Sequence, residues 1–568
     1  MRRLGLPAIA AIVVIAVGSA QLVAGALGTG ISIDEKTHVE RIYGWIAHGW
    51  YVPEPFLLDG SPDPANELSS PFVYGPAYSS LAHLVNVELG NEPLGEVSFA
   101  MDAYAVRHLI VAALAALAAL AVGVAARSLT GSWRLGLWTA AALLAIPVWT
   151  GQGFFNPKDA PAAVGYTLVT VGLVLALAPA PPNRRRLLAV AALLAGGIFI
   201  GPGTRLALWA PIFASLLTYA ALRAGQRWRG GLRVGWRADG AVLGGAASGA
   251  AAIALLYPRA VETPRTLLTH SVSVSADYAN ESVTLTAGRL LSEHPPWWYL
   301  PTWVGARTPL LLAALAVLGA VLAIGVLASL RDRGLGSVWR GRRLGSILVL
   351  QQATLLPLLA IASEATMYNA ARQHLYVFPA LAILAGVGAR RLWRWARGSS
   401  GSATRSALAT AALTLALIVP MVEQAILFPY NYTYVNPAAG VRGVDDRWET
   451  DYLYTSFREA LSRVPRGVRL LCSSSLVRAS EPNAEPVFDE CSEQPFDDER
   501  GEDADRPTAP DPRVWVISSP RGDNRPPSWC EGTADVTRWL RGEDVTMAYV
   551  MRCDAARVRA REQVLESG

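Results

Sequence analysis

"LGLWTAAALLAIPVWTGQGFFNPKDAPAAVGYTLVTVGLVLAL", Leu135 to Leu177, is two apolar runs joined by one polar turn. Each run approaches the roughly 20 residues that a helix needs to cross a bilayer. The turn, Asn156-Pro157-Lys158-Asp159, sets a cation beside an anion at the start of the second run. That cation departs from the habit of the chain: of 50 lysines and arginines, only Lys36 and Lys158 are lysine. A helix start disfavours a cation, and lysine is a compact, strongly hydrated point charge. The pairing therefore calls for an anion nearby, either a carboxylate, a bound phosphate, or both.

The same alternation of apolar run and polar turn extends in both directions. Candidate spans fall near 6–26, 109–126, 135–150, 160–177, 187–200, 206–222, 240–256, 310–330, 346–362, 375–389 and 407–428. They make about eleven helices. Only 17% of the 568 residues are charged, against roughly 25% in a soluble chain. The expected fold is an all-α polytopic membrane domain over residues 1–428. It would be followed by a small extracytoplasmic α/β domain over 429–568.

Arginines fix the expected orientation. Arg2/Arg3, Arg127/Arg134, Arg184 to Arg186, Arg223 to Arg237, Arg331 to Arg343 and Arg390 to Arg405 occupy alternate loops, which the positive-inside rule places in the cytoplasm. They share one side only if Gly201-Pro202-Gly203 separates two spans. The N-terminus is then inside and the C-terminus outside. The first apolar run is longer than a signal-peptide core, so it reads as an uncleaved anchor. The net charge of +5 reflects these loops and does not argue for nucleic acid.

The outward pieces are loop 27–108, loop 258–308 and the tail. All four cysteines lie in the tail, an even number in an exported segment that suits up to two disulfides. "RGVRLLCSS", "RVWVISSP" and "VTMAYVMRC" read as strands, "SFREALSRV" and "ADVTRWLRG" as helices. "FDDERGEDADRPTAPD" reads as a solvated loop.

Chemistry-bearing residues gather on the outward side. Asp34 and Glu35 follow the first span and open an amphipathic helix, "EKTHVERIYGWIAHGW". Lys158 and Asp159 open the fourth. Arg107-His108, Arg205, His294 and "TMYNAARQHLY", with Tyr368, Arg372 and His374, share that face. Asp159 by itself would be an ordinary helix cap. Each of the others by itself would be a snorkelling or helix-end residue.

In order and spacing these stretches resemble the GT-C membrane glycosyltransferases, in particular the bacterial relatives of protein O-mannosyltransferases and aminoarabinose transferases. The resemblance rests on the early Asp-Glu, "FFNPKDAP", "LSSPFVYGPAYSSLAHL", Arg107-His108, "MYNAARQHLYVFPAL" and "FPYNYTYVNPAAG" with "WETDYLYTS". It implies a sugar carried on a polyprenyl phosphate, passed with inversion to a hydroxyl acceptor on a protein, glycan or lipid. It also implies a multi-pass bacterial plasma-membrane protein with its active site on the extracytoplasmic side, in contact with membrane lipids.

Asp34 would then be the general base, with Glu35 the second choice. Lys158 and Arg372, then Arg205 and His374, would stabilise the leaving phosphate. Asp159 would orient Lys158, and Tyr368, Arg107, His108 and His294 would contribute to substrate binding. The residues call for no particular cofactor, and a divalent metal held by Asp159 with Asp34 and Glu35 stays open. The competing reading is a transporter or lipid-linked-sugar flippase, which would place its ionisable groups near the bilayer midplane.

Overall fold

The computed structural model describes residues 5–63, 69–179, 182–229, 236–278, 283–331, 336–339, 341–398, 402–465, 470–475, 487–490, 513–521, 526 and 528–557. Arg2/Arg3, the acidic stretch 496–511, the Asn-Glu-Ser glycosylation motif at 280–282, Cys491 and the side chain of Cys472 lie outside the described residues.

The chain enters through α1 (Leu6–Gly28), with Pro7 in the first turn, where a missing N–H costs no helical bond. An outer segment, peripheral to the helix bundle, follows with α2 (Ile33–His48), the small hairpin β1 (Leu57–Leu58) and β2 (Ser61–Pro62), and α3 (Ala77–Glu88). α4 (Met101–Thr130) runs back through the bundle. α5 (Trp133–Leu144) and α6 (Pro147–Phe155) follow as a pair bent by 66° to each other. The span expected over 135–150 is thus broken. Pro147 is the cause, because it forces Ile146 into extended backbone (φ −88°, ψ 107°) and donates no hydrogen bond.

α7 (Asp159–Leu177) is buried almost all round. α8 (Arg184–Thr204) packs so closely against it that a Cβ on Gly165 would meet the Gly201 backbone at 2.3 Å. Here glycine is required by the approach of two helix backbones. Gly201-Pro202-Gly203 sits inside the last turn of α8, and the break comes just beyond, at Arg205 (φ −128°, ψ 99°). The two-span reading therefore holds with its hinge displaced. Arg205 uses its extended backbone to bridge Tyr74 in the outer segment.

α9 (Trp209–Trp228) and α10 (Arg237–Leu256) lead to a second outer segment. It holds α11 (Pro258–Val261), α12 (Pro264–Ala276), β3 (Thr284–Thr286), β4 (Arg289–Leu291) and α13 (Tyr299–Arg307). α14 (Leu310–Ser329), α15 (Gly336–Trp339), α16 (Ser346–Ala362), α17 (Val377–Ala396) and α18 (Ala403–Leu427) complete the bundle. Among the described residues nine helices are long and apolar enough to span a membrane, or ten with the bent pair. The span expected over 375–389 became α17, which packs along α14 but carries Arg390, Arg391 and Arg394 towards its C-terminal end.

Beyond α18 come α19 (Val444–Arg447) and α20 (Phe457–Ser462), then a mixed sheet. Its strands are β5 (Leu470–Ser475), β6 (Val487–Glu490), β7 (Arg513–Ser518), β8 (Cys530–Gly532), β9 (Val536–Leu540) and β10 (Glu543–Asp554). The order is β6-β5-β7-β10-β8, with β9 on β10 and only β5 and β7 parallel. "ADVTRWLRG", expected to be helical, is strand β9. Val536 and Leu540 are buried with more exposed residues between them, and Arg541-Gly542, both at positive φ, make the two-residue hairpin turn that pairs β9 with β10.

The long strand β10 serves two cores. Val545, Met547 and Val550 join the apolar core of the helices, whereas Met551 and Cys553 pack a small cluster on the other face. Cys530 and Cys553 form a disulfide between β8 and β10. Asn431, which opens an Asn-Tyr-Thr glycosylation motif, is fully buried.

Candidate active site

Two short segments, far apart in sequence, set the geometry. At the start of α2 the Ser32 N–H donates to Glu35 Oε2 at 2.6 Å, closing half of a capping box. Glu35 Oε1 meets His108 Nε2 at 2.6 Å. Glu35 is thereby tied down against α4, and Asp34, one residue earlier, points elsewhere. Helical spacing places His38 and Arg41 below Asp34, at i+4 and i+7.

At the start of α7 the cap is Asn156. Its Oδ1 accepts from the Lys158 N–H at 3.1 Å and the Asp159 N–H at 2.8 Å. The capping role expected of Asp159 thus falls to Asn156, and the Asp159 carboxylate is released for ion pairing. It lies at a helix start, where the macrodipole favours it. Asn156 is held in turn by Gln152 at 2.6 Å, and Gln152 donates to the Tyr452 hydroxyl at 3.0 Å.

These segments meet. Lys158 Nζ lies 3.0 Å from Asp34 Oδ1, and Arg372 Nη1 pairs with Asp34 Oδ2. Arg205 Nη1 lies 2.8 Å from Asp159 Oδ1, with Arg372 Nε 3.8 Å from Asp159 Oδ2. Three cations and two carboxylates leave the cluster with an excess of one positive charge. Burial alone would raise the Asp34 carboxyl, but Arg372 and Lys158 overcome it and hold the group far below the usual carboxylate range. Burial would lower Lys158, and Asp34 reverses that and lifts it above an ordinary lysine.

Arg372 is aimed by an unusual loop. Asn369 and Ala370, just before it, have φ of 55° and 62°, left-handed values that non-glycine residues adopt only when held. The Asn369 N–H donates to Thr284 Oγ1 at 3.2 Å, the Tyr299 hydroxyl to the Ala370 carbonyl at 3.3 Å, and Arg521 Nη2 to Asn369 Oδ1 at 3.1 Å. The second outer segment and the sheet therefore fix the loop from two sides. Tyr368 lies under the Arg372 guanidinium at 5.4 Å.

His374 is buried next to Arg205 and has its pKa lowered to about 3, first by burial and then by Arg205. It is a neutral hydrogen-bonding group at pH 7 and adds no cation. Both residues border a cavity of about 310 Å³ between α9, α12 and α16. Pro211, Ala214, Val272, Leu355, Leu356 and Leu359 make its walls apolar, and Arg205, Gln373 and His374 form its polar end.

The other residues picked from sequence lie elsewhere. Glu35 and His108 pair with each other outside the cluster. Arg107 pairs with Glu92, which also binds His83 at 2.7 Å. His294 is exposed, with Nδ1 3.0 Å from the Glu364 carbonyl oxygen. Sequence reading passed over Tyr74, whose ring lies 5.6 Å from Lys158 Nζ and 5.0 Å from both the Arg41 guanidinium and the His38 ring. It also passed over His38 and Arg41, which the i+4 and i+7 spacing from Asp34 would have disclosed. Among the described residues no three His, Cys, Asp or Glu side chains converge as a metal-ligand set. Asp34 and Asp159 are instead engaged by ammonium and guanidinium groups.

No family profile matches the chain, and no curated protein does. Among solved structures it is similar to ArnT from Cupriavidus metallidurans bound to undecaprenyl phosphate. The identity is 14%, over 96% of this chain and 98% of that one, with a TM-score of 0.46. The apo state of the same protein gives 15% identity and 0.44 over the same coverage. At such identity and score no residue role passes from one chain to the other.

Proposed function

We propose that the chain is an integral-membrane glycosyltransferase of the GT-C type, moving a sugar from a polyprenyl phosphate to a hydroxyl acceptor at the outer face of the membrane. One observation carries this reading: a buried ionic cluster with one excess positive charge stands beside an apolar cavity whose polar end is Arg205 and His374. A phosphate with a long hydrocarbon tail answers both halves at once. A transporter reading would need the charges at mid-depth, whereas they sit where helices end.

In the proposed reaction the acceptor oxygen attacks the anomeric carbon from the face opposite the phosphate. The new C–O bond forms as the C–O bond to phosphate breaks. The hydroxyl proton passes to Asp34, and the electron pair leaves with the polyprenyl phosphate. Lys158 and Arg372 stabilise the charge that develops on that phosphate, and Asp159 keeps Arg205 and Arg372 in place. Asp34 in the resting cluster is a weak base, because both of its oxygens face cations. Donor phosphate competes for those cations and frees Asp34 to take the proton, so the base is strengthened only when the donor is bound.

The test is incubation of purified protein with a panel of radiolabelled polyprenyl-phosphate sugars and hydroxyl acceptors. The reading requires at least one donor to be consumed by wild type and spared by Asp34→Asn. Translocation of a lipid-linked sugar in vesicles with no transfer product would replace it with the flippase reading.

A further inference from the structure

We infer a second lipid site, independent of the proposed chemistry, at the opposite end of the bundle. α9 runs away from Arg205 for 20 residues, so its far end lies about 30 Å from the ionic cluster. There a cleft of about 980 Å³ opens between the ends of α9 and α14. Ala224, Ile324 and Leu327 line it on the bundle side, and Trp228, Arg229, Arg331 and Trp339 at its rim. Ile324, Leu327 and Trp228 are all exposed, the last at 85%. In a chain spanning a membrane, such side chains face acyl chains and the headgroup layer.

The rim carries the selectivity. Asp239 already holds Arg223 and Arg227. Neither Arg229 nor Arg331 has a carboxylate partner among the described residues. Arg229 spans the cleft, donating from Nη1 to the Leu330 carbonyl at 3.0 Å and lying 5.8 Å over the Trp339 ring. Trp339 fits there because position 225 is glycine: a Cβ would collide with the indole at 1.9 Å. Arg342, Arg343, Arg390 and Arg394 lie close enough to repel one another, and residues 342–345 contact α15, which carries Trp339.

An apolar wall under two guanidinium groups without a carboxylate partner among the described residues matches a glycerophospholipid with a net negative headgroup, its phosphate on Arg229 and Arg331 and one acyl chain along Ile324 and Leu327. A zwitterionic headgroup would bring its own ammonium against the arginines, so phosphatidylglycerol is favoured over phosphatidylethanolamine.

The experiment is native mass spectrometry of the full chain, purified in detergent doped equally with the two lipids. Wild type retains phosphatidylglycerol in preference, and Arg229→Gln with Arg331→Gln lowers its retention about tenfold. Ala224→Trp, which fills the wall and leaves the charges intact, must also lower it, so the result does not hang on one variant. Equal retention of both lipids by wild type, or unchanged retention in the two variants, overturns the inference. Displacement by free glycerol phosphate would do so too, since the site would then read phosphate without a lipid. None of these readouts requires transferase activity.

Discussion

Asp34 and Glu35 are neighbours in the chain and belong to different buried ionic clusters. Successive helical residues point about 100° apart, so one turns towards Lys158 and Arg372 and the other towards His108. In the Glu35 region all four oxygens of Glu35 and Glu92 have partners: Ser32 N–H, His108, His83, and Arg107 with the Ser98 N–H. The cavity beside it is small, about 20 Å³. In the Asp34 region the cations outnumber the carboxylates, Asp34 keeps 24% of its side chain exposed, and an apolar cavity adjoins Arg205. Burial of charge is common to both. What separates a candidate site from a structural lock is a carboxylate left partly open and the larger space beside it.

Substitutions turn that contrast into measurements. The largest effect is expected for Asp34→Asn, which removes the proton acceptor and should lower turnover by about 10²–10⁴ in single-turnover assays. Glu35→Gln should not reproduce that loss. The pH profiles carry the same distinction. In the free protein Asp34 is held ionised far below the usual range, so kcat/KM has no acid limb from it above about pH 4. Once donor phosphate draws off its cations its pKa rises, and kcat should acquire an acid limb at higher pH than kcat/KM does.

Next in size, Lys158→Ala or Arg372→Ala should each lower turnover by about 10²–10³ with binding of the apolar tail retained. Full activity in either variant would remove the cation frame from the proposal. Arg205→Gln should raise KM for the donor about tenfold with little change in kcat, the loss of one charge-assisted hydrogen bond. The smallest effect on activity is expected in the Glu35 region. Arg107→Met should destabilise the protein by about 3–5 kcal/mol, measured by denaturant unfolding, and leave turnover per folded molecule within about threefold. Loss of activity at full stability there would erase the distinction between the regions.

Much of this was legible in sequence, and the failures have specific causes. Apolar runs located the spans, because lipid excludes charge whatever the packing. The break at Pro147 was missed and the turn at Arg205 was placed a little early, since both depend on how proline and glycine are used against neighbouring backbones. β9 was misread as a helix because it is only five residues long, although Val536, Thr537 and Trp539 favour a strand, and its hairpin signal lies in the positive φ of Arg541 and Gly542. Asp34, Lys158, Asp159, Arg205 and Arg372 came from charge at helix ends. Glu35, Arg107 and His108 gave the same signal and went to another cluster. Tyr74 gave none, since a tyrosine in a loop looks the same whether or not a lysine reaches its ring.

The sequence by itself determined that this chain spans a membrane and that its unusual lysine stands at a helix end among acids and arginines. Both follow from the cost of charge in lipid, which acts residue by residue. Only the tertiary structure decided which acid meets which cation, which cluster has charge to spare, and where an apolar cavity opens beside it. Those depend on helix phase and on contacts between segments hundreds of residues apart, as in the pairing of Asp34 with Arg372.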